Sequence, residues 1–190
     1  MYAKIAAVGT TPAKLVFFYN RDDIFNDVAL LSNYMSKNLA TKEGAPLTDE
    51  FAISDDEKEL VNTCVRSALP DIYEPMAKIT SGVIPAFKED VTENAGTKGK
   101  DIENNDVPIA AGHYVEFYML DNEAYNANTI LLVDESLRNI INYGTLKEVY
   151  STIVNPDLLK ICGERFVGEV LKLKQRLFQL KKKSVVSNLG

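Results

Sequence analysis

The sequence predicts a mainly α protein of the α+β class: a helical bundle with a projecting β-hairpin and a small extended or β amino-terminal arm. Three observations lead there. Toward the carboxyl end, Leu159, Cys162, Phe166, Val170, Leu173, Leu177 and Leu180 recur at steps of three and four, which places them on one stripe of a long helix. Helix starts are punctuated by Ser54–Glu57, by Thr145–Glu148 and by Asn155 followed by Pro156, the residue types that satisfy or dispense with the free amides of a first turn. Against this helical background one run, His113 to Met119, alternates with the period of a strand.

Taken in order, Lys4–Val8 and Lys14–Tyr19 are β-prone runs separated by Gly9 and Pro12, as in a small hairpin or extended arm. Ile24, Val28, Leu31, Met35 and Leu39 then mark a helix opened by Asp22 and Asp23 and closing near Ala40. Thr41–Asp49, with Gly44 and Pro46, reads as a linker, so residues 1–48 are expected as an arm and helix and 49–183 as the main helical domain. After Ser54, the residues Leu60, Cys64, Val65 and Leu69 make a buried stripe that Pro70 should end or kink. Ile72, Met76 and Ile79 continue as a second piece, closed by Gly82 and Pro85.

Val91–Asp106 has almost no apolar residue and is expected as a long loop, the tip of a hairpin over about residues 87–119 in which Phe87–Val91 pairs with His113–Met119. Asn126 and Asn128 lead into the helical stripe Ile130, Val133, Leu137, Ile140 and Ile141, with a break expected near Gly144. The last helix should run from Pro156 to about Lys182, its terminal lysines complementing the negative carboxyl end, and residues 184–190 should form a flexible tail.

Composition narrows the function. The 190 residues carry 21 basic and 27 acidic side chains, a net charge of −6, which disfavours a general phosphate-binding surface. The charge is segregated: Asp49, Glu50, Asp55, Asp56, Glu57 and Glu59 crowd one segment, and Lys172, Lys174, Arg176 and Lys181–Lys183 crowd the end. Opposed patches of this kind read first as solvated faces, and can also serve head-to-tail contact between copies of a chain. Cys64 and Cys162 each fall on a helical stripe and are expected as buried free thiols in a reducing compartment. No run approaches the ~20 apolar residues of a membrane span, and a soluble, cytoplasmically synthesised protein is the expectation.

Chemistry finds little to build on. His113 is the only histidine, so any triad has one candidate base, and two distant cysteines give no paired ligand spacing for zinc. Asp22/Asp23 and Asp55/Asp56 lie where helix amino ends attract acids. Gly96–Lys100 has glycines and a lysine, yet its spacing falls short of a phosphate loop and Asp101 stands where a Ser or Thr would bind magnesium. No catalytic residue, metal site or cofactor is therefore expected. Tyr114 and Tyr118, two of nine tyrosines in a chain without tryptophan, share one face of the predicted strand and suit either an interface or internal packing.

The order of these elements resembles a known family. A capped helix from Ser54, a polar hairpin, HYVEFYM, the Asn-initiated NTILLVDESLRNIINYGTLKEVYSTI and the Lys-rich DLLKICGERFVGEVLKLKQRLFQLKKK are similar to head-to-tail connector (ring) proteins of tailed bacteriophages, most of all those of crAss-like phages of Bacteroidales. The resemblance covers roughly the last two thirds of the chain and is one of pattern rather than of a diagnostic motif. It implies a non-enzymatic virion protein that forms a ring, commonly twelve-fold, between portal and tail. Its implied partners are copies of itself, the portal and adjacent connector or tail proteins, and DNA that passes without specific binding; no membrane is involved. The hairpin, including Val107 and Ile109, would interlock with a neighbouring subunit. Asp55, Asp56 and Glu59 on one side and Lys174 and Lys181 on the other would supply complementary faces. A helical adaptor or regulatory module with no virion role is the alternative the residues leave open.

Overall fold

The computed structural model describes residues 2–5, 14–37, 51–79, 84–91, 98–100, 105–108, 112–120 and 127–187. The linker Thr41–Asp49, Gly82, Asn126 and Ile109 lie outside them. The described chain is mainly helical with a sheet. Strands β1 (Tyr2–Ile5) and β2 (Lys14–Asn20) are followed by helix α1 (Arg21–Lys37), a 3-10 turn (Asp55–Glu57) and α2 (Lys58–Ile79). Four further strands follow, β3 (Ile84–Val91), β4 (Lys98–Lys100), β5 (Asp106–Pro108) and β6 (Gly112–Leu120). Helices α3 (Ala127–Thr152) and α4 (Pro156–Ser187) complete it, so α4 runs on past Lys183 into residues expected as a tail.

The strands form one sheet in the order β3-β6-β2-β1-β4-β5. β1 and β2 pair antiparallel as the sequence suggests, with Tyr2 opposite Phe17. β3 pairs antiparallel with β6, Phe87 opposite Val115, with a register shift between Lys88 and Val91. A hairpin projecting from the body is not shown. Instead, Lys98–Lys100 and Asp106–Pro108, expected within or beside its loop, are strands at the far edge of the sheet, where Lys100 pairs with Tyr2 of β1. The run read as an amino-terminal arm supplies β2, which lies between β6 and β1.

One hydrophobic cluster joins sheet and helices. It contains Leu15, Phe17 and Tyr19 of β2, Ile24 and Val28 of α1, Val61, Val65 and Ile72 of α2, Ile140, Ile141 and Tyr150 of α3, and Leu158, Cys162 and Leu173 of α4. Fully burying a large aliphatic side chain contributes roughly 1.5–3 kcal/mol, so helix faces of this kind outweigh local propensity. That explains α2. Pro70 neither ends it nor divides it: Ala68 and Ile72 on either side are buried, while Pro70 faces solvent, where an unmade backbone bond is satisfied by water.

α3 likewise continues through Gly144, where a break was expected. A β-carbon added at Gly144 would stand 3.3 Å from Ile72 Cδ1 and 3.4 Å from Phe166 Cε2, so the glycine is the point at which α2 and α4 close on α3. Thr145, read as a cap, is instead a fully buried mid-helix residue whose hydroxyl has no hydrogen-bond partner.

Polar contacts fix the helices against one another. Arg176 of α4 donates to Leu132 O and Ser136 Oγ, both at 2.5 Å, and reaches Glu135 at 3.3 Å. With Phe166 beside Gly144, this makes α3 and α4 antiparallel. Arg138 grips Asp27 of α1 through Nε at 2.5 Å and Nη2 at 2.7 Å, and Asn142 donates to the same carboxylate at 2.9 Å. Lys147 pairs with Asp71 of α2. Tyr19 ties the sheet to α3 by donating to Asp134 Oδ1 at 2.6 Å. Ser32, buried in α1, accepts from Ile53 N at 2.9 Å and donates to Phe51 O at 3.0 Å, which holds the approach to α2.

The turn between α3 and α4 follows the sequence. Asn155 Oδ1 accepts from Leu158 N at 3.0 Å, capping α4 with Pro156 at its first position. Before it, Val154 has φ 56° and is 82% exposed. A β-branched residue is strained in this left-handed region and gains nothing from burial here. Val154→Gly is expected to raise stability by about 1 kcal/mol, read as a higher urea midpoint at unchanged slope.

Candidate interaction surface

The start of α2 concentrates acid because capping places it there. Glu57 carries the cap: its Oε2 accepts from Ser54 N at 2.7 Å and from Ser54 Oγ at 3.2 Å. Asp55, Asp56 and Glu59, which have no such duty, are exposed. Lys58, the base among them, is engaged with Asp22 of α1 at 2.9 Å and lies 5.6 Å from the Phe25 ring centroid. The segment abuts the carboxyl half of α3, since Tyr150 Oη donates to Phe51 O at 3.5 Å.

Lys174 is exposed on α4 close to Arg176, which binds the amino-terminal part of α3 at Leu132 and Ser136. Phe51 and Arg176 thus meet α3 about sixteen residues apart, roughly 24 Å at 1.5 Å per residue, while Lys58 of the acidic segment reaches Asp22 of α1. Lys172, adjoining Lys174, is partly spent on Glu169 at 2.6 Å. Lys181 belongs to the same helix.

The other residues singled out from sequence are not brought to these patches by any described contact. Val107 is in β5 opposite Gly99, and Ile109 is outside the described residues. Tyr114 and Tyr118 align with Asn20 and Val16 on β2 and with Lys88 and Ile84 on β3, so they stand on a strand paired along both sides rather than at an edge.

Sequence reading missed a second kind of surface. The outer face of α4 is not uniformly charged: Val167 is 55% and Leu171 52% exposed, one turn apart. On α1, Leu30 and Tyr34 are likewise exposed. The only available signal was an apolar pair out of phase with the core stripe.

Reactive groups are withdrawn. Cys64 and Cys162 are buried free thiols. Burial pushes the Cys162 thiol up to about 12 and raises that of Cys64, against a lowering hydrogen bond from Thr152. Neither is poised as a thiolate nucleophile. Among the described residues no group of three or more His, Cys, Asp or Glu side chains could hold a metal ion, and no described helix is long and apolar enough to cross a membrane. What the described surface offers is charge, at Asp55, Asp56, Glu59 and Lys174, and apolar area, at Val167 and Leu171. No protein-family model, curated protein or solved structure matches the chain.

Proposed function

We propose that the chain is a structural virion protein, a ring component of the portal-to-tail connector of a tailed bacteriophage. The observation that carries this reading is that exposed acid and exposed base stand on different elements of one bundle, Asp55, Asp56 and Glu59 at the start of α2 and Lys174 on α4. A closed head-to-tail ring needs two different, mutually complementary surfaces on each copy. Asp55, Asp56 and Glu59 at the start of α2, and Lys174 on α4 with Lys181 later in the same helix, are the residues that would form such a pair. The net charge of −6 suits a wall past which DNA slides without adhering. The resemblance in element order to connector proteins supports the same assignment, with portal and neighbouring tail proteins as partners and no chemistry performed.

The test is assembly. Purified chain, alone and mixed with the portal protein of its phage, should give closed rings by negative-stain microscopy and one large mass by native mass spectrometry. Asp55→Lys with Asp56→Lys should disperse the rings, and adding Lys174→Glu with Lys181→Glu should restore them. A chain that stays monomeric under both conditions would sink the proposal and leave a helical adaptor as the better reading.

A further inference from the structure

We propose that the outer face of α4 pairs two copies of this chain antiparallel about a two-fold axis that crosses the Val167–Leu171 face at the level of residue 169. This goes beyond the connector reading and does not rest on it. Val167 and Leu171 are half exposed although α4 has a complete core stripe in Leu158, Cys162, Phe166, Leu173 and Leu177. Among the described residues this apolar pair is not part of the buried core cluster. Its surroundings indicate what covers it. Val167 and Leu171 lie two residues either side of 169, and Glu164 and Lys174, both exposed, lie five residues either side.

Reversing such a stripe against itself places Val167 against Leu171 of the second copy and Glu164 against Lys174, twice over by symmetry. Asp157 and Lys181, twelve residues out in each direction, fall opposite each other in the same register; only Lys160, opposite Phe178, lacks a charged counterpart. Steps of three and four keep these positions on one seam for the length of α4, the geometry of helices crossing at a shallow angle. Gly168 adjoins the seam. A β-carbon there would meet nothing within 4 Å, so the monomer does not require a glycine, whereas a second helix approaching closely would benefit from one. A single surface that is its own complement is what a two-fold contact demands.

Sedimentation velocity of the full chain at low ionic strength tests this. Wild type should show a dimer, and rings closed through Lys174 and Lys181 in its place would overturn the proposal, since the two contacts call on the same lysines. Glu164→Lys and Lys174→Glu should each weaken pairing roughly tenfold or more, because each sets like charges together at two places. The double variant Glu164→Lys/Lys174→Glu should regain wild-type pairing, and Leu171→Glu should abolish it, with unchanged circular dichroism in all four. Wild type without any even-numbered species, or a double variant no better than the single ones, would overturn the proposal. So would rescue of Lys174→Glu by Asp55→Lys instead of Glu164→Lys, which is the signature of the head-to-tail contact alone. Packing of this seam on Leu30 and Tyr34 of α1 in another copy would be betrayed in the same way, by failure of the swapped double variant.

Discussion

Gly144→Val is expected to lower the unfolding free energy by about 1–3 kcal/mol, whereas Gly163→Ala and Gly168→Ala each raise it by roughly 0.5–1 kcal/mol. All three glycines are helical, and local propensity treats them alike. Space separates them. At Gly144 the first added carbon already meets Ile72, which is fully buried, and Phe166 at 3.3–3.4 Å, and a β-branched side chain must displace both. Gly163 and Gly168 have nothing within 4 Å, so alanine there only restricts the unfolded chain. Alanine at Gly144 should fall between, its helix gain set against the crowding. Urea unfolding of the four variants checks the order. A Gly144→Val protein as stable as wild type would mean that α2 and α4 do not close on α3 at this residue.

The same residue shows where the sequence was readable and where it was not. Periodicity located α4 correctly, and Asn155 with Pro156 fixed its start, because cap and stripe are local and need no knowledge of partners. Gly144 and Thr145 carried an equally good local signal for a break, and so did Pro70. Both were overridden by packing: Ile72 and Phe166 at the first, Ala68 and Ile72 around the second. The sheet was legible only in part. The pairings of β1 with β2 and β3 with β6 follow from neighbouring β-prone runs, but β4 consists of Lys98, Gly99 and Lys100 and owes its place to Tyr2, almost one hundred residues away. Nothing in three such residues announces a strand. Of the candidate surfaces, the acidic one was visible because it is a capping pattern. The α4 seam was hidden because Val167 and Leu171 read as part of an apolar helix until the core stripe is known to be complete without them.

Alkaline pH above about 9 is expected to destabilise this protein progressively. Four buried groups are held in their neutral forms, Cys64 among them. Burial pushes Cys162 from 9.0 up to about 12, chiefly by desolvation of the thiolate. Desolvation likewise moves Tyr150 from 10.0 to about 12, and Tyr19, beside Asp134, is raised well above the ordinary phenol value. Each folded pKa lies above its unfolded one, so the native state holds the proton that the unfolded chain gives up. The stabilisation is complete below pH 9 and is lost as pH rises from 9 toward 12. At about 1.4 kcal/mol per pKa unit the combined loss from Cys162 and Tyr150, complete only near pH 12, is on the order of 7 kcal/mol, a large share of a typical domain's stability. Urea midpoints should therefore be flat from pH 7 to about 9 and fall steeply above it. Cys162→Ala should reduce the earlier part of the fall, because the thiols are the first of these groups to ionise in the unfolded chain. Tyr150→Phe should remove the later part at a cost of about 1 kcal/mol at neutral pH, since its hydroxyl faces Ser32 and Ser36 as well as Phe51 O, the last at a long 3.5 Å. A midpoint unchanged up to pH 11 would show that water reaches Cys162 and Tyr150 in the folded chain, and with it that the helices do not close over them as described.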